Sequence, residues 1–161
     1  DLLSGGNAGY GVYRTADGRY MAVAPLEKKF WDIFCDALER PDWKPRYGAR
    51  GAAAQALRDE LAQVFIRRDQ QDWSRFFAPF DCCVTPILDV GQALAHPQFI
   101  ARGMRVDADG VTQYAPPLKL SGWDFAVERH APAPGEHSAQ ILGEAGYSAA
   151  EIAALQAAAV I

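Results

Sequence analysis

The chain has 161 residues, is 50% hydrophobic and 22% charged, and carries a formal net charge of −4. That is enough for a domain-sized core and too apolar for a disordered tail. The mild acidity gives no electrostatic reason to expect nucleic acid as a partner. No apolar run approaches the ~18 residues of a membrane span, so no membrane is expected either.

The cysteines are Cys35, Cys82 and Cys83. An odd count with two adjacent members is not a disulfide framework, which implies a reducing compartment and a cytoplasmic location. Their plain reading is as small buried hydrophobes. No CxxC or His/Cys ligand spacing occurs, so neither a metal nor another cofactor is expected. The chain starts at Asp1 with no Met and no signal-peptide pattern, which reads as part of something longer.

Residues 1–9 are Gly-rich and read as a loop. Tyr10–Thr15 and Arg19–Ala24 are β-type runs around Ala16-Asp17-Gly18, a hairpin signal because Gly accepts a positive φ at the turn. Pro25 breaks the second strand and is expected in the first turn of a helix. Leu26, Phe30, Ile33, Phe34, Ala37 and Leu38 recur at spacings of three and four, one apolar stripe on that helix, which Pro41 stops. Residues 41–51 read as a loop in which Trp43 and Tyr47 are available to pack. A second helix is predicted over 52–68 with Leu57, Leu61, Val64 and Phe65 inward. Asp69 is placed to cap a third helix, whose buried face is Trp73, Phe76 and Phe77 and which Pro79 ends.

Cys82–Leu88 reads as a short buried or edge strand. Val90–Leu94 is expected to be a short helix ended by His96-Pro97. Met104–Val106 and Val111–Tyr114 flank Asp109-Gly110, a second hairpin candidate. Leu118–Leu120 is expected to be extended, and residues 130–135 are linker-like. Two short helices close the chain; Ser148 and Glu151 form a capping box, flanked by a Tyr147–Ile152 staple, with Ile152 and Leu155 inward. The segregated order of these elements gives an α+β class with antiparallel hairpins and several helices, since the βα alternation of a doubly wound sheet is missing.

Motifs of chemistry are scarce. The glycines from Gly5 to Gly11 miss the GxGxxG spacing, and no GxxxxGK[ST] or GxSxG occurs. His96, His130 and His137 sit in loops or at a helix start and read as surface or locally bonded residues. Glu27 is the one acid singled out by position, where a strand passes through Pro25 into an amphipathic helix. A carboxylate there also simply complements the helix dipole, and the residue pattern alone leaves both readings open.

The run Tyr13-Arg14-Thr15-Ala16-Asp17-Gly18-Arg19-Tyr20-Met21-Ala22-Val23-Ala24-Pro25-Leu26-Glu27-Lys28-Lys29-Phe30-Trp31 resembles the C-terminal half of α-methylacyl-CoA racemases, within the family III CoA-transferase (CaiB/BaiF-type) group. Asp81-Cys82-Cys83-Val84-Thr85-Pro86-Ile87-Leu88 is similar to that group's D-A-C-V-T-P-V-L run. His96-Pro97 with Arg102-Gly103-Met104 follows in order. Pro134-Gly135-Glu136-His137-Ser138, Ile141-Leu142 and Gly146-Tyr147 resemble its ending, so the similarity spans Leu2 to Ile161.

The resemblance implies an interlocked homodimer. Residues 1–129 would form its small α+β domain, and 130–161 a linker and helices returning to a Rossmann-like large domain outside this chain. It implies an acyl-CoA substrate and one proton-transferring base in the motif G-A-[IL]-E-x-x-F-[WY], onto whose Glu Glu27 falls; Ala24-Pro25 stands where the motif has Gly-Ala. The opposing base, a His oriented by an Asp, would belong to the large domain. The activity implied is proton transfer at C2 of 2-methylacyl-CoA thioesters. A carboxylate of ordinary pKa, about 4.3, is a weak base for such a proton, so Glu27 is expected in a dry acyl pocket, with Tyr10 and Leu26 as its apolar wall. The alternatives are a CoA-transferase of the same fold, in which Glu27 is only structural, and a non-catalytic dimerisation module formed by the isolated chain.

Overall fold

In the computed structural model, residues 5–108, 110–127 and 131–161 are described. Leu2, Asp109 of the expected second turn, and His130 lie outside them. The chain divides into two compact units, Asp1–Asp89 and Val90–Ile161. Together they are a mixed α/β structure with small antiparallel sheets and several helices.

In the first unit, β1 (Gly11–Arg14) and β2 (Tyr20–Val23) pair antiparallel, with Gly11 opposite Val23 and Arg14 opposite Tyr20. The turn is the expected one: Gly18 has φ +80°, and its N–H donates to the Thr15 carbonyl. β3 (Val84–Pro86) joins the free side of β2, so β2 is central and the Thr85-Pro86 strand is an edge. Proline is tolerated there because an edge strand leaves one row of N–H positions unpaired.

Helix α1 (Lys28–Ala37) starts later than its apolar pattern implies. Pro25 is buried outside the helix, and Glu27, extended at φ −94° and ψ 143°, is the N-cap residue rather than a member of the first turn. The buried face is Trp31, Phe34 and Cys35, with Leu26 and Phe30 only half-buried. Trp31, outside the expected stripe, takes an inward position because its indole N–H reaches the Trp43 carbonyl at 3.2 Å. Residues Pro41–Arg46 form a 3₁₀ turn that buries Trp43, in place of the expected loop. α2 (Gly51–Phe65) buries Ala54, Leu57, Leu61 and Phe65; Val64 is half-buried.

α3 (Gln70–Phe77) buries Trp73 and Phe77. Its N-cap residue is Asp69, as expected, yet that side chain makes no capping bond. The Gln70 N–H instead donates to both oxygens of Asp17, at 3.3 and 3.4 Å, so the hairpin turn caps the helix. Thr15 also donates to Asp17, the foremost of several hydrogen bonds that hold its carboxyl below the usual range. Gln70 completes the junction from its buried side chain: Nε2 donates to the Tyr20 carbonyl at 2.7 Å and the Ile87 carbonyl at 2.8 Å. Gln70→Leu strands both acceptors, and chemical denaturation should show a loss of about 1–3 kcal/mol.

A polar hub lies beside this core. The Glu60 carboxylate accepts from Trp43 Nε1 at 2.8 Å, Arg46 Nη1 at 2.7 Å and Arg40 Nη2 at 2.9 Å. These bonds, the Trp43 one foremost, pull its carboxyl from the ordinary 4.5 down to about 2. A pKa lowered on folding stabilises the fold above the unfolded-state value, and that contribution is lost as pH falls towards about 2. The group is partly exposed, so the effect is on the order of 1 kcal/mol after solvent screening. The stability gap between wild type and Glu60→Gln should therefore hold above about pH 5 and close by about pH 2, read from denaturation midpoints across that range.

The second unit contains α4 (Val90–Ala95), α5 (Pro97–Ala101), the antiparallel pair β4 (Arg105–Ala108) and β5 (Val111–Tyr114), α6 (Ser138–Glu144) and α7 (Ala149–Ala157). Pro97 does not only end α4, as expected; it opens α5, because a first-turn N–H has no helical partner to lose. His96 Nδ1 accepts from the Gln98 N–H at 3.2 Å, so this histidine is a helix cap. The 118–120 segment makes one isolated bridge, Leu120 to Trp123. The Ser148–Glu151 capping box forms in both directions. Ile152 and Leu155 are half-buried rather than inward.

Candidate active site

Glu27 stands at the open end of the β1–β2 ribbon, opposite the Asp17–Gly18 turn, four residues beyond Val23. Its backbone is held on both sides. Tyr47 Oη donates to the Leu26 carbonyl at 2.6 Å, and the Trp31 N–H donates to the Glu27 carbonyl at 3.0 Å. Trp31 and Pro25 are themselves fully buried, so the pivot of the side chain rests on the core. Only the carboxylate is at liberty.

That carboxylate is 66% exposed and performs no capping bond. Its ion partner is Lys29 Nζ at 3.3 Å, itself 65% exposed. A pair so open to water is worth about 0–1 kcal/mol and does not lock the group. The dry pocket expected around Glu27 is thus not formed by the described residues. Leu26 is adjacent and half-buried, with its carbonyl committed to Tyr47. Tyr10 is half-buried just before Gly11, the partner of Val23, so it shares the open end of the ribbon. Both leave the carboxylate uncovered. The crevice behind, lined by Pro25, Trp31, Tyr47 and Leu57, has no room for a water molecule.

Cys83 shares this neighbourhood. Unlike the buried Cys35 and Cys82, it is exposed, correcting the expectation that all three are core residues. It adopts φ +56°, and its carbonyl accepts from the Ala24 N–H at 3.0 Å, tying β3 to the Pro25 turn. Partial burial, then the Asp81 and Glu27 carboxylates, push its thiol upward, while Lys29 opposes them. A shift in this direction disfavours the thiolate, the nucleophilic form.

Sequence reasoning placed Tyr47 as a packing residue and missed its bond to Leu26, since no spacing rule links positions 26 and 47. His137 precedes α6 and makes no side-chain cap. Among the described residues no group of three or more His, Cys, Asp or Glu could hold a metal, and no helix is long and apolar enough to cross a membrane.

The class these elements define is a mixed α/β frame with a solvent-facing carboxylate at a strand-to-helix junction. The comparisons make the class specific. The family model of CoA-transferase family III matches residues 3–138, and the chain belongs to that family. It is 30% identical over 155 residues to the alpha-methylacyl-CoA racemase of Homo sapiens, covering 94% of this chain and 40% of that one. It is 26% identical over 172 residues to the formyl-CoA:oxalate CoA-transferase of Escherichia coli O157:H7, covering 94% and 41%. A CAIB/BAIF family protein from Brucella suis superposes with a TM-score of 0.61 at 25% identity, over 88% of this chain and 39% of that one. The chain thus spans about two-fifths of the length of these relatives.

Proposed function

We propose that this chain is the C-terminal part of an acyl-CoA racemase, in which Glu27 is one of two bases exchanging the C2 proton of 2-methylacyl-CoA thioesters. One observation carries the reading: the Glu27 carboxylate is uncapped and open to solvent while its backbone is pinned to the core by Tyr47 and Trp31. Its oxygens are not spent on the first-turn N–H groups of α1. The sequence Glu27-Lys28-Lys29-Phe30-Trp31 and the similarity to the human racemase support the same choice.

In this mechanism one base takes the C2 proton and the electron pair moves onto the thioester oxygen. The conjugate acid of the opposing base then returns a proton to the other face. Glu27 serves as base in one direction and, protonated, as acid in the other. Because the described residues leave the carboxylate wet, the desolvation that makes a carboxylate basic must come from elsewhere. The proposed source is a large domain carrying the His and Asp, in a homodimer whose small domain is residues 1–129 and whose returning tail is 130–161. This division follows the destination of the chain in a larger protein, whereas the two compact units reflect packing within the chain itself.

The second reading, CoA transfer between carboxylic acids, is favoured by the similarity to the formyl-CoA:oxalate CoA-transferase. Incubating the full-length protein with a 2-methylacyl-CoA in D2O separates the two. Deuterium incorporation at C2 with loss of optical purity is expected. Transfer of CoA to an added acid without C2 exchange overturns the racemase reading.

A further inference from the structure

We propose that the groove between the C-terminal end of α1 and the α2–α3 corner is a binding site for a small organic phosphate, with Arg67 and Arg68 as its anion ligands. The groove is open to solvent and offers about 340 Å³, at the lower end of the range of small-ligand pockets. It includes neither Glu27, Leu26 nor Tyr10, so the inference does not rest on the racemase reading. The lining holds three guanidinium groups, of Arg40, Arg67 and Arg68, against one carboxylate, that of Glu39. In a chain of net charge −4, this is a local reversal of sign.

The three arginines are not equivalent. Arg40 is spent: it stacks over the Trp43 ring at 3.9 Å, and its Nε and Nη2 donate to Asp42 at 2.8 and 2.7 Å, with Nη2 also donating to Glu60. No carboxylate among the described residues pairs with Arg67 or Arg68. The Arg68 guanidinium carbon lies instead over two rings, 4.8 Å from the Trp73 ring centre and 4.7 Å from that of Phe76. Its backbone is fixed as well, the carbonyl accepting from the Ala16 N–H at 3.0 Å.

These contacts place the guanidinium over the rings while its N–H donors make no hydrogen bond among the described residues. A guanidinium so placed has its donors available for the oxygens of a phosphate. Arg67, the next residue, supplies a second positive charge. Beside these donors the groove wall is apolar, formed by Leu38, Val64 and the half-buried Phe76. A ligand matching both features joins a phosphate to an apolar or planar body; a bare ion would use only half of the site.

The test is titration of the intact protein with phenyl phosphate, with inorganic phosphate as reference, followed by calorimetry and by the Trp73 indole N–H resonance. Phenyl phosphate should bind at least about tenfold more tightly than inorganic phosphate, and should shift the Trp73, Leu38 and Arg68 signals. The variant R67Q/R68Q, changed at two exposed positions and checked for fold by circular dichroism, should lose at least about tenfold in affinity. Added salt should weaken wild-type binding. Competition with coenzyme A identifies the source: displacement assigns the groove to the phosphates of a CoA thioester, and coexistence assigns it to a separate organic phosphate. Absence of saturable binding at millimolar concentration overturns the proposal. Equal affinity for inorganic phosphate, or unchanged binding in R67Q/R68Q, overturns it too.

Discussion

Glu27→Gln in the full-length protein should lower C2 deuterium exchange of a 2-methylacyl-CoA by about 10²- to 10⁴-fold, the range spanned by loss of a positioned acid or base. The amide keeps the shape of the side chain but cannot carry the proton. The fold should be indifferent to the change. The carboxylate makes no cap, its salt bridge to Lys29 lies in water, and both flanking carbonyls stay bonded to Tyr47 and Trp31. Thermal midpoint and dimerisation should therefore match wild type, and exchange alone should fall. Unchanged exchange in this variant would remove Glu27 from the mechanism. A loss of stability comparable to a core mutant would make it structural, as the transferase reading has it.

The largest stability effect is expected from Phe65→Ala, about 3–5 kcal/mol. Phe65 is fully buried at the end of α2, where the strand ribbon, α1 and α3 converge. Its ring centre lies 5.3 Å from Tyr13 of β1, 6.5 Å from Phe34 of α1, and 5.0 and 6.1 Å from Trp73 and Phe77 of α3. Its carbonyl also accepts the Trp73 indole N–H at 2.8 Å, which holds the α2–α3 corner. Truncation leaves a cavity bordered by rigid rings that collapse poorly, so the cost should sit at the upper end for its type. Phe65→Leu fills much of the volume and should cost roughly half as much; urea denaturation of the two variants gives the comparison. A small loss in Phe65→Ala would mean that the aromatic cluster is not the organising core of the first unit.

Legibility differed among the elements for definable reasons. The hairpin over 11–23 follows from Asp17-Gly18 between β-type runs, because the φ of +80° at Gly18 is a local demand that the sequence answers locally. The α2 stripe and the Ser148–Glu151 box are likewise local. Those readings that missed involve distant partners. The α3 cap comes from Asp17, 53 positions away from Gln70. Trp31 turns inward because Trp43, twelve positions on, offers a carbonyl.

The candidate site divides along the same line. Glu27 was singled out by its place in the chain and by the resemblance of its motif, and the family itself was evident from matching runs across the sequence. The burial of its surroundings was not. Tyr10 and Leu26, expected to wall a dry pocket, are half-buried and leave the Glu27 side chain open to solvent.

The order of residues by itself determined the antiparallel hairpins, the amphipathic helices, the family and the acid to watch, since each is written in short-range spacing or contiguous motifs. Only the tertiary structure decided that Glu27 is held by its backbone and exposed at its side chain, that Asp17 caps a remote helix, and that Arg68 lies over Trp73 and Phe76. These are relations between segments far apart along the chain. Their energies arise from burial and hydrogen bonding that exist once those segments meet, and no local pattern of residues encodes them.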